Sequence, residues 1–220
     1  MNIDELARIL EEKFFEAVIN YLGDEGGWRD DPMEIHVSDL IYDCMRRAYY
    51  GKTMKFGIRY DSILRMAIGK KIHEIPLDGS EHELELEWNG IKGRVDEYIP
   101  NPGIVLDKKT CRSLPNSPYD HHVKQVEFYR VLLERSGRKV VACGLIYIDV
   151  ASPGVRAFVW TPKYPLEVLE KEMIEKKMIL EFALTNKILP PRKSGWICKY
   201  CDFFSICYGE EAGGEKKCHE

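Results

Sequence analysis

The sequence predicts an α/β protein in which a central mixed sheet is flanked by helices, and three observations carry that prediction. Apolar residues recur at helical spacing in the opening segment and in a charged stretch over 165–186. Between them, extended runs of alternating or apolar residues are separated by Asn-Gly and Pro/Gly turns. A helical segment over 117–135 interrupts those runs, and two further apolar runs complete the sheet.

Ile3, Leu6, Leu10, Phe14, Val18 and Tyr21 define the first helix, which a Gly/Asp-rich run over 23–32 ends. Ser38 is the expected N-cap of a helix carrying Leu40, Ile41, Cys44 and Ala48, and Asp61 starts another that reaches His73. Leu84, Leu86 and Trp88 then alternate with Glu83, Glu85 and Glu87. Asn89-Gly90 turns the chain into a second strand over 91–99, and Pro100 to Gly103 turn it into a third over 104–110, giving an antiparallel meander. Ser117 as N-cap, Pro118 in the first turn and Asp120 matched to the dipole open a helix running to Arg135, with Gly137 as its stop. Strands over 140–150 and 155–160 and a helix over 165–186 follow, before Pro190-Pro191. The expected division is an N-terminal helical region over 1–60, a core over 61–189, a cysteine segment over 190–209 and a flexible tail over 210–220.

With 220 residues, 45% hydrophobic and 31% charged, the chain can bury one core of its own. No run approaches the roughly 18 apolar residues of a membrane span, and the N-terminus is acidic and amphipathic rather than leader-like, so a cytoplasmic location is expected. Seven cysteines, odd in number and unevenly spaced, do not make a secreted disulfide framework; metal ligation or plain burial accounts for them better. The net charge of −4 would argue against nucleic acid if it were evenly spread. It is segregated: residues 1–34 hold ten acids and three bases, whereas 46–71 hold eight bases against Asp61 alone, the footprint a phosphate backbone needs.

Period-two geometry puts Asp107 and Lys109 on one face of their strand and Lys108 on the other, while the preceding strand brings Asp96 alongside. Two carboxylates ~5 Å apart repel by roughly 3 kcal/mol at an effective dielectric of about 20, so the pair wants a divalent cation. Hard oxygen ligands favour magnesium or manganese, and such a site suits phosphodiester hydrolysis, with Lys109 positioning a water or offsetting developing charge. Asp-x-Lys alone is a weak signal. Its context is Gly69-Lys-Lys-Ile-His73, then Gly93-Arg-Val-Asp96, Asp107-Lys-Lys109 and Gln125-Val-Glu-Phe-Tyr129.

In that order the motifs resemble the RecB-like branch of the PD-(D/E)xK nucleases, over about residues 40–207. The resemblance implies a restriction-endonuclease-like core, His73, Asp96 and Asp107 as ligands of Mg²⁺ or Mn²⁺, and Lys109 as the catalytic lysine. Gln125 and Tyr129, four apart on one helical face, would support the site or touch DNA. Asp107 stands where Glu is frequent in that family, which bears on metal distance.

Cys198, Cys201 and Cys207 form a metal-like group whose fourth ligand is to be found among Cys44, Cys111, Cys143 and Cys218. Joining Cys44 closes a loop of about 150 residues, costing on the order of 4 kcal/mol of chain entropy, which a thiolate-bound metal offsets. Spacing alone leaves zinc and [4Fe-4S] both open. Trp196, Phe203 and Phe204 would exclude water around the site. Cys111 and Cys143 read as small buried hydrophobes and Cys218 as a free tail cysteine. One cysteine before the nuclease motifs and three after them is similar to the CRISPR-associated RecB-like exonucleases, the fourth Cas protein family. That resemblance implies a [4Fe-4S] cluster on Cys44, Cys198, Cys201 and Cys207, joining the N- and C-terminal helical parts, DNA ends as substrate, and CRISPR integrase proteins as partners. Two other readings stay open at this point: a RecB-like nuclease of general repair, and a non-catalytic, metal-stapled DNA-binding protein.

Overall fold

A computed structural model of the chain describes residues 3–22, 31–54 and 60–209. The elements run α1 (Ile3–Leu22), β1 (Ile35–His36), α2 (Val37–Leu40), α3 (Met45–Thr53), α4 (Tyr60–His73), β2 (Glu81–Trp88), β3 (Ile91–Ile99), β4 (Ile104–Cys111), α5 (Asp120–Arg135), β5 (Ala142–Asp149), β6 (Gly154–Trp160) and α6 (Leu166–Asn186). A 3-10 turn (Trp196–Tyr200) and α7 (Phe204–Tyr208) close the described chain. The tail over 210–220, with Cys218, lies outside the described residues. Among those residues, no helix is long and apolar enough to cross a membrane.

The sheet is mixed, as expected. The meander β2-β3-β4 is antiparallel, β4 continues parallel to β5 and β6 returns antiparallel to β5. Asn89 (φ 52°) and Gly90 (φ 72°) take the two left-handed positions of the tight β2-β3 turn. The two-residue β1, too short to show a period, pairs parallel with Ile91 and Lys92. A strand has two edges, and β2 fills one edge of β3 from Tyr98 to Ile91. So β1 and β4 share the other, β4 only at Glu97 to Ile99, leaving that edge open from Gly93 to Asp96. The candidate site stands in this gap.

Helix α5 crosses β2 to β5, and α4 packs on β4 with α1 against it. The close approach of α5 explains the glycine of Gly93-Arg-Val-Asp96: a Cβ there would lie 2.7 Å from Leu132 Cδ2 and 3.2 Å from Tyr129 Cε1. Val126, Phe128, Leu132 and Leu133 of α5 form the core with Val95, Val105, Leu145 and Tyr147 of the sheet and Leu169, Met173 and Leu180 of α6.

Two caps differ from expectation. The single helix capped by Ser38 is two helices: the His36 amide donates to Asp39 Oδ2 at 2.8 Å to start α2, and Cys44 is extended (φ −89°, ψ 93°) before α3. That break takes Cys44 out of the helix and into the cleft described below. Helix α5 begins at Asp120 with Tyr119, not Ser117, at its N-cap. The Tyr119 amide donates to Tyr147 Oη at 3.1 Å, holding the entry to the helix against the sheet.

Candidate metal centre and cysteine cleft

The gap in the sheet gathers residues from five elements, α4, β2, β3, β4 and α5. Carrying the β3-β4 register one step past Glu97↔Leu106 sets Asp96 level with Asp107, but there the strands part. The Lys108 amide donates instead to Asp96 Oδ2 at 2.8 Å. His73, the last residue of α4, puts Nδ1 2.8 Å from the same oxygen, and Lys109 Nζ stands 2.8 Å from Asp107 Oδ2. The structure therefore brings together His73, Asp96, Asp107 and Lys109, with Lys108 on the opposite face. There Lys108 Nζ donates to Glu97 Oε1 and to the His73 and Ile75 carbonyls, tying β4 to the end of α4.

The two acids differ electrostatically. Burial alone would push Asp96 up, but His73, Lys109 and the Lys108 amide outweigh it and hold its pKa below the usual value. Asp107 is only 1% exposed and its Oδ1 has no hydrogen-bond partner. Burial, opposed by Lys109 and reinforced by Asp96, pushes its pKa up to about 6. Desolvation works against the Lys109 ammonium, yet Asp107 and Asp96 keep its pKa raised. A buried carboxylate oxygen with no donor, beside a second acid and a histidine, is the donor set of a hard divalent cation. The residues fit Mg²⁺ or Mn²⁺.

Gln125 and Tyr129 do share one face of α5, where Gln125 Nε2 donates to Tyr129 Oη at 2.9 Å. Both are buried. Burial, Asp107 and Asp96 all raise the Tyr129 pKa, so this phenol stays protonated beside the acids. Sequence reasoning missed Glu83. One ligand atom each from His73, Glu83 and Asp96 lies within 4.8 Å of the others. Alternation with Leu84, Leu86 and Trp88 puts Glu83 in one row with Glu85 and Glu87, and its left-handed φ of 50° has no sequence signal.

The basic segment over 46–71 is largely engaged within the fold. Arg46 donates to the Pro190 carbonyl, Lys52 pairs with Asp39 and the Glu34 carbonyl, Lys70 with the Tyr21 carbonyl and Lys71 with Glu74; Lys55 and Arg59 lie outside the described residues. Arg47 lines the cysteine cleft and stacks 4.1 Å over the Tyr42 ring, which in turn stacks on His121. Lys109 lies close enough to perturb His121, whose pKa burial, Lys109 and Arg47 all lower.

His122, next along, is packed against Tyr147, and burial with Lys109 and His121 takes its pKa down to about 3. Its folded pKa lies below the unfolded value, so between pH 6.5 and about 3 the unfolded chain binds the extra proton and stability falls as pH falls. His122→Gln is expected to remove up to one proton from that slope, about 1.4 kcal/mol per pH unit. Urea melts of the two proteins at pH 7, 6 and 5 check this.

Cys44, Cys198, Cys201 and Cys207 line one cleft with Arg46, Arg47, Tyr50, Phe203, Phe204 and Tyr208. The structure thus brings Cys44 from the N-terminal half to the three C-terminal cysteines. Tyr208 Oη approaches Cys198 Sγ at 3.9 Å, and Tyr50 meets Phe203 at 5.6 Å between ring centres. The side chain of Trp196 lies outside the described residues. Cys143 is fully buried, as expected, and Cys111 is half-buried against the core.

Residues 39–208 match the family model of the PD-(D/E)XK nuclease superfamily. A curated relative, the CRISPR-associated exonuclease Cas4 of Saccharolobus solfataricus, is 30% identical over 122 residues, 53% of this chain and 52% of the relative. The chain thus spans about half the length of that relative. The crystal structure of SSO0001 superposes with a TM-score of 0.60 at 24% identity, covering 90% of this chain and 96% of that one. A phage-related exonuclease from Haemophilus somnus superposes more weakly, with a TM-score of 0.45 at 10% identity over 70% of this chain and 96% of that one.

Proposed function

This chain belongs to the PD-(D/E)XK nuclease superfamily, and we propose that it is a divalent-metal-dependent exonuclease that trims free ends of single-stranded DNA, in CRISPR spacer acquisition. The observation that carries the reading is Asp107: a fully buried carboxylate with an unpartnered oxygen, level with Asp96 and paired to Lys109. The Cas4 relative supports the exonuclease and CRISPR parts.

His73, Asp96 and Asp107 would hold Mg²⁺ or Mn²⁺, which when bound polarises a phosphoryl oxygen and lowers the pKa of a water. Asp96 enters ionised, because His73, Lys109 and the Lys108 amide stabilise its charge. Lys109 stays cationic between the two acids, placed to orient the attacking water and to offset charge growing on the phosphate. Gln125 and the protonated Tyr129 cover the pocket from α5 and exclude water beneath the acids. Arg47, stacked on Tyr42, offers a cation to the incoming strand between the two sites. Cys44, Cys198, Cys201 and Cys207 would hold a [4Fe-4S] cluster, a reading supported by the one cleft they share and by the order of one cysteine before the nuclease motifs and three after them. It joins the helical region over 1–60 to the segment over 190–209, outside the nuclease core over 61–189. CRISPR integrase proteins are the proposed partners and the cytoplasm the proposed location.

The test is an end-labelled linear single strand against a circular one, each with Mn²⁺ or Mg²⁺. Progressive loss of the linear DNA with the circle intact is expected. A protein that binds both and cuts neither would be a metal-stapled DNA binder instead.

A further inference from the structure

Glu83 is the group in this pocket that no motif contains. It sits in the middle of β2, where the register on either side is regular: His82 pairs with Glu97 and Leu84 with Val95. Glu83 is therefore level with Asp96, yet its backbone leaves the strand for φ 50°, a conformation that non-glycine residues rarely adopt and that is stored where the surroundings impose it. Its neighbours Glu85 and Glu87 stay exposed, but the Glu83 carboxylate is drawn in. Oε1 is buried without a hydrogen-bond partner, and Oε2 accepts from Arg94 at 2.8 Å.

We propose that Glu83 is a ligand of the divalent cation, completing with His73 and Asp96 a position on the β2 side of Asp96, and that Arg94 holds its carboxylate ready until the ion is taken up. The inference rests on the nuclease reading of the same pocket and adds to it a residue from outside the motifs. A salt bridge to Arg94 does not by itself account for the geometry. The Arg94 side chain is 64% exposed, so that pair contributes little. It also leaves Oε1 buried and unpaired, whereas a cation held with His73 and Asp96 gives the Glu83 carboxylate a partner it otherwise lacks. Independently, Asp107, on the far side of Asp96 and close enough to feel both Asp96 and His73, carries a second unpartnered oxygen on a side chain 1% exposed. Asp96 then has a cation-seeking acid on either side: Glu83 from β2 and Asp107 from β4.

The experiment is titration of the full-length protein, its cysteine site as purified, with Mn²⁺, read by calorimetry and by the electron paramagnetic resonance of free Mn²⁺. Parent, Glu83→Gln, Glu83→Gly and Asp107→Asn are compared. Glu83→Gln is expected to weaken Mn²⁺ binding about tenfold or more. Glu83→Gly weakens it as well. Because glycine adopts φ 50° freely, it also raises the melting temperature of the protein in chelator, by about 2–4 °C. The opposite pattern for Glu83→Gly, a lower melting temperature with Mn²⁺ binding untouched, would make Glu83 a structural partner of Arg94 and end the proposal. Titrations of Glu83→Gln that superimpose on the parent would end it too, and if Asp107→Asn loses Mn²⁺ in the same series, the wider metal site stands without Glu83. A parent that takes up no Mn²⁺ removes both readings together.

Discussion

Asp107→Asn is expected to lower the rate of DNA cleavage by roughly 10³-fold or more, while the metal-free protein becomes more stable. Both effects come from one atom pair. The Asp107 side chain is shut from water, one oxygen has no donor and the other faces Lys109 at 2.8 Å. A charge so placed is costly until a cation arrives, which is why its pKa stands near 6 in the fold. The native state therefore holds that proton more tightly than the unfolded chain does. Metal-free stability rises as pH falls through about 6 toward the ordinary 3.8, and the carboxylate is a burden above that window. Asparagine keeps the shape without the charge, so at pH 8 the variant gains about 1–3 kcal/mol and loses the pH dependence. Lys109→Ala is the contrasting change: it also abolishes cleavage, but it strips Asp107 and Asp96 of their counter-charge and destabilises the metal-free protein. Activity assays with Mn²⁺ and denaturant melts in chelator at pH 5 and 8 read both variants. An Asn variant that cleaves at the parent rate, or that melts lower at pH 8, would remove Asp107 from the role given to it here.

How far the sequence reached depended on whether a feature had a short period. Alternation between apolar residues and Glu83, Glu85 and Glu87 and the Asn89-Gly90 pair defined the hairpin, and period two alone placed Asp107 with Lys109 and against Lys108. The gap between β3 and β4 had no such signal, because it arises from β1 taking part of an edge with only two residues. Glu83 was hidden for a related reason: its pattern is that of a solvated strand face, and only the backbone at φ 50° removes it from that face. The break between α2 and α3 was invisible because Leu40, Ile41, Cys44 and Ala48 keep helical spacing straight through it. Charge counting found the basic segment but not its partners, and Arg46, Lys52, Lys70 and Lys71 turn out to be spent on carbonyls and acids of the fold. Cys198, Cys201 and Cys207 announce themselves by proximity, whereas Cys44 has no local signal, and only the fold sets it in the same cleft.

Cys44→Ser is expected to bleach the protein and lower its melting temperature by roughly 8–16 °C. The other three cysteines lie within ten residues of one another, so in the proposed cluster only Cys44 would make the site a staple across the chain. Releasing it reopens a loop of about 150 residues, whose closure is worth on the order of 4 kcal/mol, and leaves a metal group with an unfilled position. Weaker contacts that run parallel to the staple remain: Arg46 to the Pro190 carbonyl at 2.8 Å, Lys193 to Asp43 at 3.1 Å and Tyr50 against Phe203. These hold the ends near one another, so the variant unfolds at lower temperature rather than failing to fold, and anaerobic purification recovers it. Cys111→Ser is the control, half-buried against the core and away from the cleft; it keeps its iron. Iron and acid-labile sulfide assays, with absorption near ~400 nm, separate the outcomes. A parent that is colourless with one equivalent of zinc replaces the cluster with zinc, and a Cys44→Ser protein with undiminished iron and an unchanged melting temperature removes Cys44 from the ligand set. Neither result touches Asp96, Asp107 and Lys109, because α4 and β4 assemble that pocket through Lys108 and Glu97 with no help from the cysteines.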